Sequence, residues 1–289
     1  VSDQTAIDEL PPLRDVIRDH NLRAEKSLGQ NFLLDLNLTA KIARTAKHIF
    51  GRTAFEIGPG PGGLTRALLN SDAKNVIAIE YDPRAIVALQ SLVTASEGRL
   101  ILENRDALKL NLLELAQERG MEGPFVIVAN LPYNIATPLL TNWLSQIHDN
   151  VDHYVELVLM FQKEVAQRIV ASPSSKNYGR LSIISQWLCD CKLAFDVPAA
   201  AFTPPPKVTS SIVRLVPKKR TEALPDFSIM EKITAAAFGQ RRKMIRSSLK
   251  EYLPLIEQCG LKSDARAEEL SVEDFARLAK AVAETKDRL

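Results

Sequence analysis

The chain has 289 residues, enough at roughly 150 per domain for about two domains, or one large α/β domain with an appendage. Apolar residues make up 46% and charged residues 25%, which excludes wholesale disorder and permits a sizeable core. With 37 basic and 35 acidic residues the net charge is +2, too small to announce a nucleic-acid partner by itself.

Residues 1–30 are polar, with one short helical pattern at Leu13, Val16 and Ile17, and read as an extension. No basic stretch followed by an apolar one marks the start, so no secretory signal is expected. From Thr53 onward short β-rich runs alternate with helical patterns: Thr53–Ile57, Val76–Glu80, Leu100–Glu103, Phe125–Ala129 and Tyr154–Phe161. Near-continuous apolar runs of this length, spaced for crossover helices, predict a buried parallel sheet. Leu188–Val197 and Val208–Val216 follow, joined by the Pro-rich Pro198–Lys207. So short and stiff a connection suits an antiparallel pair. Beyond Pro225 the strand signal stops. Phe227–Phe238, Arg242–Leu253 and Val272–Ala283 show helical apolar spacing, and Ser271-Val-Glu-Asp274 predicts a capping box. The expected architecture is α/β: a Rossmann-like sheet of seven strands, parallel with a terminal antiparallel strand, over 31–220, then a small all-helical domain over 221–289.

The longest uncharged run, Pro124–His148, carries Pro132, Pro138, Asn130, Asn134, Asn142 and Gln146 and makes a poor membrane span. Cys189 and Cys191 form no CxxC pair, and the four histidines form no HExxH. A reduced, soluble, cytoplasmic protein without a structural metal is expected.

The first strand runs into Glu56-Ile-Gly58-Pro-Gly60-Pro-Gly62-Gly63-Leu-Thr65. Glycines allow a tight strand-to-helix turn and close approach of a ligand to backbone, although a plain structural turn uses them too. Glu80 ends the second strand about 20 residues past the loop, where a carboxylate can take both hydroxyls of a ribose. Asp106 follows the third strand. All lie at the carboxyl edge of the sheet. The NAD fingerprint is G-x-G-x-x-G, whereas here the order is G-x-G-x-G-G with Glu56 ahead of it. That variant looks like the S-adenosyl-methionine loop of class I methyltransferases, which holds no phosphate.

The fourth strand ends in Asn130-Leu131-Pro132-Tyr133. Asn-x-Pro is a common turn former. It also suits methylation of an exocyclic adenine amine, a poor nucleophile because its lone pair is delocalised. Two acceptors, the Asn130 side-chain oxygen and the Leu131 carbonyl, would favour a pyramidal nitrogen and stabilise its developing positive charge. Pro132 stiffens the turn and Tyr133 offers a ring for a base to stack on. No catalytic His or Cys is needed.

Gly29-Gln-Asn-Phe-Leu33, the glycine loop, Asn130-Leu-Pro-Tyr-Asn-Ile-Ala-Thr-Pro138, Phe161-Gln-Lys-Glu-Val165, Tyr178-Gly-Arg-Leu-Ser182, Phe202-Thr-Pro-Pro-Pro-Lys-Val-Thr-Ser210 and Phe238-Gly-Gln-Arg-Arg-Lys243 stand in one order along the chain. In that order and spacing the sequence resembles the bacterial small-subunit ribosomal RNA adenine dimethyltransferases over roughly 23–289. The resemblance implies N6,N6-dimethylation of two adjacent adenosines in a hairpin loop near the 3′ end of 16S rRNA, in small-subunit biogenesis, with four S-adenosyl-methionines used. It places Asn31, Leu33, Gly58, Gly60, Glu80, Asp106 and Asn130 around the cofactor, and Phe202 across a flipped base from Tyr133. Gly239 and the N-terminal extension depart from the pattern.

Two windows are basic without an acid: Lys207–Arg220, with Arg214, Lys218 and Lys219, and Gly239–Lys250, with Arg241, Arg242, Lys243 and Arg246. Such runs are often only solvated faces, but beside a catalytic loop they suit an RNA backbone. On one helix Arg242, Arg246 and Lys250 would form an i, i+4, i+8 stripe; with Lys207 they are the expected RNA contacts. Looped adenines are the natural target, since A-form duplex hides its bases. A monomer is expected. Rival readings are a 23S rRNA adenine methyltransferase of the macrolide-resistance type, a non-catalytic RNA-binding assembly or transcription factor, and a DNA adenine methyltransferase.

Overall fold

The structure is a computed structural model that describes residues 3–22, 30–240 and 242–286. Arg241 and Gly29 lie outside the described residues. The strands are β1 (Phe32–Leu33), β2 (Thr53–Ile57), β3 (Asn75–Glu80), β4 (Leu100–Asn104), β5 (Phe125–Asn130), β6 (Tyr154–Gln162), β7 (Cys189–Val197), β8 (Phe202–Thr203) and β9 (Ser210–Pro217).

Seven of them form one sheet in the order β4-β3-β2-β5-β6-β9-β7. The pairs β4–β3, β3–β2, β2–β5 and β5–β6 are parallel, and β9 runs antiparallel to both β6 and β7. The expected strands recur with small shifts at their ends. β4 and β5 each gain an asparagine because Asn104 still pairs with Glu80 and Asn130 with Met160. The last strand starts at Ser210 rather than Val208, whose side chain stays 42% exposed at the end of the Pro-rich loop.

β2 shows why the runs read as continuous. Phe55 and Ile57 face one apolar cluster and Ala54 the other, so both faces of the strand are covered. One cluster carries Trp143 and Trp187 and continues through Phe227 and Met230 to Phe275 of the C-terminal helices, so sheet and helices share a core. The other holds Ile42, Leu64 and Leu68, and Ile7 from the start of the chain. Fully burying one such side chain is worth about 1.5–3 kcal/mol.

The N-terminal stretch forms two helices, Asp3–Asp8 and Leu13–Asp19. Asp8 accepts from the Asn70 amide at 2.8 Å and the Pro11 carbonyl from the Arg66 guanidinium at 2.8 Å. Both partners belong to the turn and helix that follow the glycine loop.

Two helices after Pro225 match expectation, Phe227–Gly239 and Val272–Lys286, the latter with its Ser271–Asp274 capping box formed in both directions. The third does not. Across the expected span Arg242–Leu253 lie a four-residue helix, Ile245–Ser248, and a 3₁₀ turn, Lys250–Tyr252, and a separate short helix, Leu253–Gln258, and a 3₁₀ turn, Ala267–Glu269, follow before the last helix. The N–H groups of Ile245 and Arg246 donate to the carbonyls of Ala265 and Ser263, and Met244 bridges Arg266. A backbone tied to a distant segment at 244–246 cannot also continue a helix from Arg242. The stripe of Arg242, Arg246 and Lys250 on one helix face is therefore not formed.

Candidate active site

Strand order reverses at β2, whose neighbours are β3 and β5, and the carboxyl ends of these strands open a crevice of the kind in which open α/β sheets bind ligands. A cavity of about 310 Å³ lies there. It is lined by all ten of the residues expected around cofactor and amine apart from Phe202: Asn31, Leu33, Gly58, Gly60, Glu80, Asp106, Asn130, Leu131, Pro132 and Tyr133.

The glycine loop turns through left-handed backbone at Gly58, Gly60 and Gly62 before the helix Gly63–Leu69 begins. A side chain at Gly60 would stand 3.0 Å from the Phe32 ring, so β1 closes directly onto the loop. Glu80 is 5% exposed at the tip of β3. One of its carboxylate oxygens accepts from the Gly60 N–H at 3.1 Å and the other from the Asp82 N–H at 2.8 Å. Burial raises its pKa, and those backbone donors oppose the rise. Each oxygen keeps a lone pair for a hydroxyl. Asp82, held low by the Arg84 guanidinium, also accepts from the Gln30 amide at 3.2 Å, which ties the wall before β1 to the same corner. Asp106 opens the 3₁₀ turn Ala107–Lys109 by accepting from the Leu108 N–H at 3.0 Å.

Asn130 caps β5 with its amide nitrogen donating to the Asn31 carbonyl at 3.3 Å. That hydrogen bond uses the amide nitrogen and assigns the other side-chain atom as the acceptor oxygen. Tyr133 starts the helix Tyr133–Asp149, and its hydroxyl lies 2.6 Å from the Ser210 hydroxyl.

Phe202 is elsewhere. It is 3% exposed, sits in the apolar cluster with Leu33 and Ile212, and pairs with Leu33 through the β1–β8 ladder. Its ring does not line the cavity. The expected RNA contacts Lys207, Arg242, Arg246 and Lys250 are all exposed, and none of them lines the cavity. Arg214, counted with the first basic window, is instead committed to buried Glu156, which also accepts from the His48 N–H at 2.8 Å. Lys218 is bound to the Gln186 carbonyl at 2.7 Å and lies 3.7 Å from Asp190.

Tyr81, Leu108 and Glu56 are among the lining residues that the sequence does not single out. Tyr81 and Leu108 are large apolar side chains left 62% and 47% exposed at the cavity. Each stands within two residues of an expected carboxylate, and that adjacency is the signal sequence offers. In the sequence Glu56 only marks the loop spacing. It is 1% exposed, one of its oxygens has no hydrogen-bond partner, and burial pushes its carboxyl up to about 8, opposed by the Thr65 hydroxyl and reinforced by the charge of Glu80.

Residues 21–284 match the family model described as ribosomal RNA adenine dimethylase. The chain belongs to this family. The dimethylase is 54% identical over 287 residues to ribosomal RNA small subunit methyltransferase A of Xanthobacter autotrophicus, covering 98% of this chain and 97% of the relative. It is 53% identical over 281 residues to the protein of the same name from Mesorhizobium japonicum, covering 96% and 100%. Among solved structures it resembles a dimethyladenosine transferase from Plasmodium falciparum at 28% identity and a TM-score of 0.70, covering 84% of this chain and 94% of that one. The 23S rRNA methyltransferase ErmE shares the fold at 24% identity and a TM-score of 0.64, covering 87% and 99%. The dimethylase is thus an S-adenosyl-methionine-dependent enzyme on a class I methyltransferase sheet. No helix of the described residues is long and apolar enough to cross a membrane.

Proposed function

We propose that the dimethylase transfers methyl groups from S-adenosyl-methionine to N6 of two adjacent adenosines in the 3′-terminal hairpin loop of 16S rRNA, during assembly of the small subunit. The observation that carries this reading is the hydrogen bond of Asn130, whose amide nitrogen is spent on the Asn31 carbonyl in the wall of the cavity, which supports a role for its oxygen, with the Leu131 carbonyl, as acceptor for an incoming amine.

The donor set fits such a cofactor. Glu56 and Glu80 put two buried carboxyls in the cavity, and the lining cation Arg105 is turned to Glu103 and Glu118. That suits a cationic ligand with a ribose and leaves little for a pyrophosphate. Glu80 would take the ribose hydroxyls, Asp106 the adenine edge, and Tyr81 and Leu108 its faces, while Asn31, Leu33, Gly58 and Gly60 form the walls. When bound, the cofactor supplies an electrophilic methyl on a sulfonium. Asn130 and Leu131 accept from the adenine amine and stabilise the charge that grows on its nitrogen, and Pro132 holds the turn. Tyr133 stacks on the base. The product ammonium loses its proton to water. Phe202 can join Tyr133 only by uncovering a ring that is now 3% exposed.

For RNA, the reading assigns Lys207, Arg242, Arg246 and Lys250 to phosphate contacts as separate exposed cations, with 221–289 as the docking unit. A groove of about 990 Å³ is lined by Thr137, one turn beyond Tyr133, by Arg168, Lys176 and Arg180, and by Phe227 and Phe238 of the first C-terminal helix. The same reading makes the enzyme a cytoplasmic monomer.

The test is transfer of labelled methyl groups to undermethylated small subunits, large subunits and DNA in parallel. Dimethyladenosine in small-subunit rRNA alone is expected, reduced about 10²-fold or more by Asn130→Ala. Label in large subunits or DNA overturns the substrate. No label anywhere, with small subunits bound, leaves an assembly factor.

A further inference from the structure

We propose that Ser210 is a positioning residue for methyl transfer: its hydroxyl pins the Tyr133 ring, and that pin carries the enzyme through the second methylation of the same nitrogen. The proposal rests on the reading that Tyr133 stacks on the target base. Ser210 itself does not line the cavity, so it acts through Tyr133.

Ser210 opens β9 at the end of the Pro-rich loop and is fully buried. Gln162 of β6 flanks it on one side and Val197 of β7 on the other, so two strands hold its backbone. A buried hydroxyl needs a partner, and the one Ser210 has is the Tyr133 hydroxyl, 2.6 Å away. Tyr133 is the first residue of the helix Tyr133–Asp149 and stands half-buried in the cavity wall. Among the described residues its ring packs on no other aromatic ring, and its hydroxyl has no second hydrogen bond. A ring at a helix start and free at its tip would swing between rotamers within picoseconds to nanoseconds, as exposed side chains do. A bond to a residue fixed in the sheet removes that freedom.

The same sheet carries Asn130. That residue ends β5 opposite Met160 of β6, and Gln162, two residues further along β6, pairs with Ser210. Asn130 and Ser210 thus stand on either side of one strand, about 10 Å apart across the sheet. The segment from Asn130 to Tyr133 is fastened at its first residue by the Asn31 carbonyl and at its last by Ser210. One frame therefore sets both the acceptor for the amine and the plane on which its base lies.

The two transfers ask different things of that frame. In the first, the adenine amine has two N–H groups, one for the Asn130 oxygen and one for the Leu131 carbonyl. Its lone pair forms the C–N bond as the methyl's bond to sulfur breaks, the electron pair going to sulfur, and a proton leaves to water. The secondary amine that enters the second transfer has one N–H and a methyl in place of the other, so one acceptor goes unmet. Stacking on Tyr133 then carries a larger share of the alignment, and a swing of the ring costs more rate. One net hydrogen bond is worth about three- to tenfold.

Labelled methyl transfer by the whole protein to undermethylated small subunits, with N6-methyladenosine then separated from N6,N6-dimethyladenosine, reads the two steps apart. Wild type should end in the dimethyl product. Ser210→Ala should slow the first transfer about threefold and the second about tenfold, so that monomethyl product accumulates, with S-adenosyl-methionine affinity unchanged in calorimetry. Tyr133→Phe keeps the ring, removes the hydroxyl without touching the buried serine, and should give the same product ratio. The double variant should be no worse than either single one, because both remove the same bond. A wild-type product ratio in Ser210→Ala or in Tyr133→Phe overturns the proposal. So does equal slowing of the two transfers, or effects that multiply in the double variant. Tyr133→Ala, which removes the ring, should fall below all of these; if it works at the wild-type rate, the stacking reading itself fails.

Discussion

Gly63→Ala tests whether the wall Asn31–Leu33 and the glycine loop form one packed unit. A Cβ added at Gly63 would lie 2.7 Å from the Leu33 carbonyl oxygen and 3.0 Å from Leu13 Cδ1. Relaxed carbon–oxygen contacts sit near 3.3 Å, so about 0.6 Å must be found. The leucine methyl can turn aside, but the carbonyl belongs to β1, which is bonded to β8. Backbone shifts forced by overpacking cost about 1–3 kcal/mol. At roughly 2–4 °C per kcal/mol for a protein of this size, a 2 kcal/mol loss lowers Tm by about 4–8 °C. Because the strand that must move is also the cavity wall, S-adenosyl-methionine affinity should fall about tenfold. Gly239→Ala is the control: its Cβ meets nothing within 4 Å, so stability should hold or rise by about 0.5–1 kcal/mol. Thermal melts and calorimetry on both variants measure this. If Gly63→Ala melts and binds like wild type, the wall and loop are not the rigid unit described.

Glu80→Ala removes both ribose acceptors and should weaken S-adenosyl-methionine binding by about 1.5–3 kcal/mol in calorimetry; unchanged affinity with the fold intact would sink that assignment. Glu56 makes the unliganded protein pH-sensitive. Its pKa rises from 4.5 to about 8 on folding, so between those values the folded state binds the proton the unfolded chain has lost, and stability falls as pH climbs, then levels off. At pH 7 the penalty is on the order of 3 kcal/mol, and Glu56→Gln should remove it; denaturant midpoints that do not diverge between pH 5 and pH 8 would refute this. Alanine at Arg242, Arg246 and Lys250 together should weaken binding to ribosomal particles and reduce the salt slope by about 2, leaving S-adenosyl-methionine binding alone. An identical slope makes them solvated charges only.

How much of this was legible in the residues follows from which interactions are local. The sheet was readable because strands buried on both faces are continuous apolar runs. Glu80, Asp106 and Asn130 were readable because each ends such a run. The same two-sided burial hid Glu56: without alternation, nothing in Thr53–Ile57 tells which way a side chain points or that a carboxylate is sealed in. β1 and β8, two residues each, carry no periodicity. The spacing of Ile245, Leu249 and Leu253 imitates a helix, but hydrogen bonds to Ser263 and Ala265, some 20 residues on, override it. Arg214 looked free beside Lys218 and Lys219 because its partner Glu156 lies on another strand.

The smallest element explains how the two halves of the site stay in register. β1 pairs Phe32 with Thr203 and Leu33 with Phe202, so the cofactor wall and the Pro-rich loop are one ladder. Asn31, just before that ladder, receives the Asn130 amide and so fixes the acceptor for the amine. Phe32 lies over Gly60, whose N–H bonds Glu80. A base entering between Tyr133 and Phe202 must therefore disturb a residue bonded to Leu33, and through it the wall that meets the cofactor. Cofactor and RNA should on this argument not bind independently. A loop shift that uncovers Phe202 is resisted while β1 is held against the glycine loop, and eased by anything that loosens it. The N-terminal helices bear on the same unit from behind, through Leu13 against Gly63 and Pro11 against Arg66. The extension that fitted no motif is thus packed where it can set how firmly that wall is held.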